Sequence, residues 1–196
     1  LLSVVIEYPY SAATFFIDMV CAFLFLTFFT APLRSRFKLL WIMFRSFDRP
    51  EDRPYTLIWL YTQFIASYAV LIPLLSYFES HEMLPLLMII IIANGVGDGL
   101  AEPVGIRFGK RKYTTYALFT KQRYVRSYAG SACVFVTTLI AVIAFQSYFN
   151  PTQLMAALIT LPLLITLAEA FSPHTWDSPL IYAVGGVSLI AIMQFL

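Results

Sequence analysis

Apolar runs, each close to the length that crosses a bilayer, occupy most of this 196-residue chain and leave few other folds open to it. They cover Ser11–Pro32, Tyr55–Phe78, Met83 to about Leu100, Tyr128–Phe149, Gln153–Phe171 and Leu180–Leu196. A crossing needs roughly 20 residues, and in hydrocarbon every backbone N–H and C=O must be satisfied within its own segment, so such runs are helices. Charged residues make up 12% of the chain, against about 25% in soluble domains, and the mean hydropathy is +0.77. The expectation is an all-α integral membrane protein, a single polytopic domain over residues 1–196 with about six transmembrane helices in one bundle. Leu1–Tyr10, interrupted by Glu7 and Pro9, reads as the end of a truncated helix or an interfacial segment. The first residue is not methionine, which leaves room for a further N-terminal span or a targeting peptide ahead of it. Cys21 and Cys133 both lie in apolar runs, where a thiol acts as a small hydrophobe.

Charge is distributed more tellingly than its net value of +2, which is too small to imply a nucleic-acid partner. All thirteen lysines and arginines fall between Arg34 and Arg53 or between Arg107 and Arg126. The positive-inside rule therefore puts basic loops at 33–54 and 103–127 on the cytoplasmic or equivalent face of a multi-pass protein. In the first loop, cations flank Leu39, Leu40, Trp41, Ile42, Met43 and Phe44, a pattern expected of a helix lying among lipid headgroups. Counting spans alternately puts Glu79–Glu82 and Asn150 on the opposite side and Ser172–Ser178 on the basic side. The turn Glu79-Ser80-His81-Glu82 reads as a solvated hairpin rather than a metal site, and Asp18 inside the first span as a carboxylate hydrogen-bonded to neighbouring helices.

This topology has a chemical consequence. Asp98, Glu102, Glu169 and Asp177 all arrive at one membrane face, beside Lys110, Arg111 and Lys112. Carboxylates gathered alone would repel, so the set favours a divalent cation, and oxygen ligands with water suit Mg²⁺ bridging the phosphates of a nucleotide. The acids lie at one face rather than through the bilayer depth, which argues against a channel or transporter. Around Asp98 the chain passes from an apolar run to glycines, acids and a basic cluster. Asn94, Asp98 and Glu102 share one helical face, and Pro103 predicts a break after Glu102. Gly105–Lys110 is one residue short of a P-loop and lacks its Ser or Thr.

Three blocks resemble the membrane family of CTP-dependent polyprenol kinases, which includes dolichol kinase, phytol kinase and the CTP-using diacylglycerol kinase and is related to phosphatidate cytidylyltransferases. Gly97-Asp98-Gly99-Leu100-Ala101-Glu102-Pro103-Val104-Gly105-Ile106-Arg107-Phe108-Gly109-Lys110 is similar to the family's G-D-x-x-A-x-x-x-G-R-x-x-G loop. Arg126-Ser127-Tyr128-Ala129-Gly130-Ser131-Ala132 is similar to its K-S-x-x-G-S-x-A, and Glu169 with Asp177-Ser178-Pro179-Leu180 to its glutamate followed by D-N and a proline. The chain departs from the pattern at Ile106, where a basic residue is usual, at Ser178 for asparagine, at Arg126 for lysine and at Ala129 for an acid.

The resemblance implies transfer of the γ-phosphoryl of CTP to an isoprenoid alcohol or diacylglycerol. Asp98 and Asp177 would hold Mg²⁺, and Glu102 or Glu169 would add a ligand or serve as base. Arg107, Lys110, Arg111 and Arg126 would hold phosphates, Gly105, Gly109 and Gly130 would admit close backbone approach, and Ser131 would donate a hydrogen bond. The partners implied are a membrane lipid alcohol, a nucleoside triphosphate and the bilayer, for a homo-oligomer or a subunit of a membrane complex. The departures point to the alternative, a catalytically lapsed relative serving as a non-enzymatic subunit.

Overall fold

A computed structural model describes residues 12–116 and 123–196. The expectation for Leu1–Tyr10 and the part of the second basic loop at Lys121 lie outside the described residues. The described chain is mostly helical and groups into two compact units, divided between Ala69 and Val70. Four helices are long and apolar enough to cross a membrane: Thr56–Ser80, Leu84–Phe108, Pro151–Phe171 and Asp177–Phe195.

In the first unit, α1 (Ala12–Thr27) is followed by the short helices α2 (Ala31–Arg36) and α3 (Lys38–Arg45), and α4 (Thr56–Ser80) begins after a 3₁₀ turn at Pro50–Asp52. The first apolar run thus ends as helix at Thr27, five residues before Pro32, and the basic loop is largely helical. Aromatic rings hold this unit together. Phe23 packs on Tyr61 and Phe64 of α4, and fully buried Phe29 contacts Phe25, Phe44 and Phe47. Asp18 is half-buried, within electrostatic range of Tyr68.

The second unit opens with the end of α4. Glu82 takes a left-handed conformation (φ 58°), the Met83 amide donates to the Phe78 carbonyl at 2.8 Å and the Glu82 amide to that of Glu79 at 3.1 Å. Those paired bonds satisfy carbonyls left over at the helix end, so the turn is a backbone device, and His81 is stacked on Tyr77 with ring centroids 4.1 Å apart. Then come α5 (Leu84–Ile92), a π-helical turn at Ala93–Asp98 and α6 (Gly99–Phe108), which together form one continuous rod.

Contrary to the expected break, α6 runs through Pro103. A proline gives up the bond to the carbonyl four residues back and crowds it, here that of Gly99, and this falls where the wide π turn passes into α-helix. The basic loop also departs from an all-α fold. Lys112–Tyr116 (β1) and Arg123–Ser127 (β2) form an antiparallel pair, with Tyr113 opposite Arg126 and Thr115 opposite Tyr124. Side chains alternate, so these four share the inward face while Lys112, Thr114, Arg123 and Val125 stay exposed.

Three more helices complete the unit: α7 (Tyr128–Ala144), α8 (Pro151–Phe171) and α9 (Asp177–Phe195). Ser127 caps α7 by accepting from the Gly130 amide, and Asn150 with Gln153 forms a reciprocal capping box on α8. The expected fourth span ends as α-helix at Ala144, and α1 and α7 are 16 and 17 residues long, shorter than the four helices long enough to cross. Helix α7 packs on α6, α8 and the π turn, and α8 packs on α9.

Glycines set how closely α6 approaches α7. A Cβ on Gly130 would lie 2.7 Å from the Ala101 carbonyl oxygen, and one on Gly105 would lie 2.4 Å from the Ser127 hydroxyl, whereas at Gly99 nothing stands within 4 Å. Gly130→Ala is therefore expected to force the two backbones apart and destabilise by about 1–3 kcal/mol. Gly99→Ala is expected to be neutral or mildly stabilising through its better helix propensity. Thermal unfolding of both variants in detergent reads the contrast.

Candidate functional site

The Arg126 side chain lies at the centre of a polar cluster where the hairpin meets the ends of α8 and α9. Cross-strand pairing fixes its direction, because Tyr113 opposite it shares the inward face. Its guanidinium donates to a Glu169 carboxylate oxygen, to the Glu169 carbonyl at 2.6 Å and to the Ser172 hydroxyl at 3.0 Å, and reaches Asp177 Oδ2 at 3.4 Å. The other Glu169 oxygen accepts from Ser131 at 2.8 Å, and Ser131 pairs with the Tyr113 hydroxyl at 2.6 Å. Ser172 donates to the Glu169 carbonyl at 2.7 Å, and Asp177 Oδ1 accepts from the Ser178 amide at 3.1 Å. Both side chains of the Arg126–Glu169 pair are largely buried, 14% and 5% exposed.

Two further clamps hold the hairpin on the α8–α9 connection. The Thr115 hydroxyl donates to the Ser172 carbonyl at 2.8 Å, and the His174 amide donates to the Tyr116 carbonyl at 2.7 Å. The rings of Tyr124 and His174 stack 3.6 Å apart at 6°.

Electrostatics follow from this packing. Burial opposes the charge on Arg126, but Asp177 and Glu169, with a smaller contribution from Asp98, outweigh it and raise its pKa above the ordinary arginine value. Burial, the largest influence on Tyr113, disfavours its phenolate and pushes the group up, against the bond from Ser131, with Glu169 adding to the rise.

Of the site residues expected from sequence, Arg126, Ser131, Glu169 and Asp177 come together, and Asp98 adds a small electrostatic contribution at Arg126. Gly105, Gly109 and Gly130 lie just beneath, packed around Ser127. Glu102, Arg107, Lys110 and Arg111 are exposed on α6 and the link to β1, with Arg107 over the Phe108 ring. Sequence reasoning missed Tyr113, Thr115, Ser172 and the Tyr124–His174 stack. The run Tyr113-Thr114-Thr115-Tyr116, rich in aromatic and β-branched residues, carried the strand signal that would have placed the first two.

Among the described residues, no group of three or more His, Cys, Asp or Glu side chains is placed to hold a metal ion by itself. Comparison with protein-family models, with curated proteins and with solved structures returned no match.

Truncating one member of a buried ion pair strands the other. Arg126→Ala is expected to cost about 3–5 kcal/mol in unfolding free energy, whereas the apolar double replacement Arg126→Met with Glu169→Met is expected to recover most of that loss. Denaturant titration in mixed micelles measures both. A group whose pKa is raised on folding stabilises fully below its unfolded value and loses that contribution as pH rises through the folded one. The Tyr113 share of stability is therefore expected to fade above about pH 10, and a melting-temperature profile from about pH 9 to 12 should fall less steeply for Tyr113→Phe than for the native chain.

Proposed function

We propose that this chain is a membrane lipid-alcohol kinase that transfers the γ-phosphoryl of a nucleoside triphosphate, CTP by family resemblance, to an isoprenoid alcohol or diacylglycerol. The observation that carries the reading is the convergence of Arg126, Ser131, Glu169 and Asp177, which come from two of the three blocks of the resemblance, with Asp98 of the remaining block contributing to the electrostatics of Arg126. In this reading the chain makes six passes, and both basic loops face the cytoplasmic or equivalent side.

The donor chemistry suits Mg²⁺, which takes one or two protein carboxylates and completes its shell with phosphate oxygens and water. Asp98 and Asp177 are the residues that would hold it, by the resemblance; Asp177 is held by Arg126 at 3.4 Å, more loosely than Glu169, which is paired with Arg126 and Ser131. When bound, the ion supplies positive charge to phosphate oxygens during transfer. The protein's own groups do the rest. Arg126 anchors Glu169 and draws Asp177 into place, while exposed Arg107, Lys110 and Arg111 receive phosphates arriving from water. Glu102 takes the proton of the lipid hydroxyl as its oxygen bonds to the γ-phosphorus, and the bond from that phosphorus to the β–γ bridging oxygen breaks. The products are a lipid monophosphate and a nucleoside diphosphate.

A second reading, a lapsed relative acting as a non-enzymatic subunit of a membrane complex, is favoured by one observation. Arg126, expected to hold phosphate, is instead committed to Glu169, Ser172 and Asp177. The deciding experiment follows label from γ-³²P-CTP, with ATP as comparison, into phytol, farnesol, dolichol and diacylglycerol, in detergent with Mg²⁺. Labelled lipid is expected from the native chain and its loss, at least about 100-fold, from Asp98→Asn. Folded native protein giving no labelled lipid with any pair would sink the kinase reading in favour of the subunit.

A further inference from the structure

The segment between α1 and α4 carries a surface that the kinase chemistry does not use. Along α3, buried Phe44 and half-buried Leu40 and Met43 face the protein, at helical spacing. The opposite face interleaves Lys38 and Arg45 with Leu39, Trp41 and Ile42, which are 69%, 45% and 49% exposed. An eight-residue helix rises only about 12 Å, too short to cross, and this face is too apolar for water alone. A headgroup layer suits both, because apolar side chains sink toward the acyl region while basic ones reach back to phosphate.

The charge is lopsided in the same sense. Residues 30–55 hold six basic and three acidic side chains. Of the acids, Asp48 accepts from Arg53 at 2.8 Å and from Thr56 at 2.7 Å, and Asp52 is buried. Arg45 lies over the Trp41 ring at 4.9 Å, which orients that cation beside the exposed apolar face, and Arg34 lies over the Phe44 ring at 4.1 Å. Among the described residues, no carboxylate pairs with Arg34, Arg36, Lys38 or Arg45.

We propose that α2–α3 is a strap that binds the anionic phosphate headgroups of the bilayer surface, recruiting acidic lipids through Arg34, Arg36, Lys38 and Arg45 while Leu39, Trp41 and Ile42 enter the interface. Each basic residue near an anionic surface strengthens attachment to that surface by about fivefold.

The test uses the full chain with Trp59→Phe and Trp176→Phe, leaving Trp41 as its single tryptophan, reconstituted in phosphatidylcholine vesicles. Brominated phosphatidylglycerol is expected to quench Trp41 about twofold or more over brominated phosphatidylcholine at equal mole fraction. The preference is expected to vanish in R34Q/R36Q/K38Q/R45Q. High salt is expected to abolish it in the otherwise unaltered chain, a reading that holds even if the fourfold variant misfolds. A companion chain retaining only Trp59, in the first turns of α4, reports insertion and should show no lipid preference. Equal quenching of Trp41 by the two lipids would overturn the strap, as would no quenching of Trp41 by either lipid while Trp59 is quenched.

Discussion

The polar end of the second unit depends on one buried charge pair. A guanidinium that is 14% exposed cannot remain there without partners, and Arg126 answers this with a carboxylate, a carbonyl and a hydroxyl around a single fork. Those partners belong to the end of α8 and the turn after it, and Asp177 begins α9, so the same side chain ties a strand to two helices. Glu169 in turn spends its second oxygen on Ser131, which extends the tie into the first turn of α7 and on to Tyr113. Such a network specifies one arrangement because each member would otherwise be a desolvated polar group.

Two backbone features bring the remaining residues to that network. The glycines let α6 lie against the start of α7 at a distance no side chain would allow, and so hold the ends of both helices in register. The π turn at Ala93–Asp98 adds a wider coil within the rod, which rotates everything after it relative to α5. Inside the same turn Asn94 donates to the Tyr182 hydroxyl at 2.8 Å, which fastens the irregular backbone to α9.

The apolar helices were legible in sequence because bilayer length and hydropathy are strong, local signals. Their ends were less so. The first run breaks at Thr27 because Phe28 to Thr30 turn back through short-range backbone bonds, and Phe29 gains full burial there. Pro103 misled because the carbonyl it displaces is that of Gly99, at the junction of the π turn with α6, a backbone irregularity that linear sequence does not announce. The expectation that the acids gather at one face rests on charge counting alone; Glu169 and Asp177 share the Arg126 guanidinium. The counter-cation was misjudged. Arg126 was read as a phosphate ligand because linear sequence does not reveal cross-strand register, and it is the pairing with Tyr113 that turns the side chain inward. Thr115 and Ser172 escaped for a related reason, since a bond between residues 57 apart leaves no local trace.

That separation bears on how the protein is made. Arg126 leaves the ribosome before either of its acidic partners, which follow 43 and 51 residues later, nearly the whole of α7 and α8. Until α8 has been made, the hairpin carries a cation whose two acidic hydrogen-bond partners do not yet exist, and burying it in that state would be costly. Its burial therefore waits on the α8–α9 connection, so the ion pair couples the order of synthesis to the closing of the second unit.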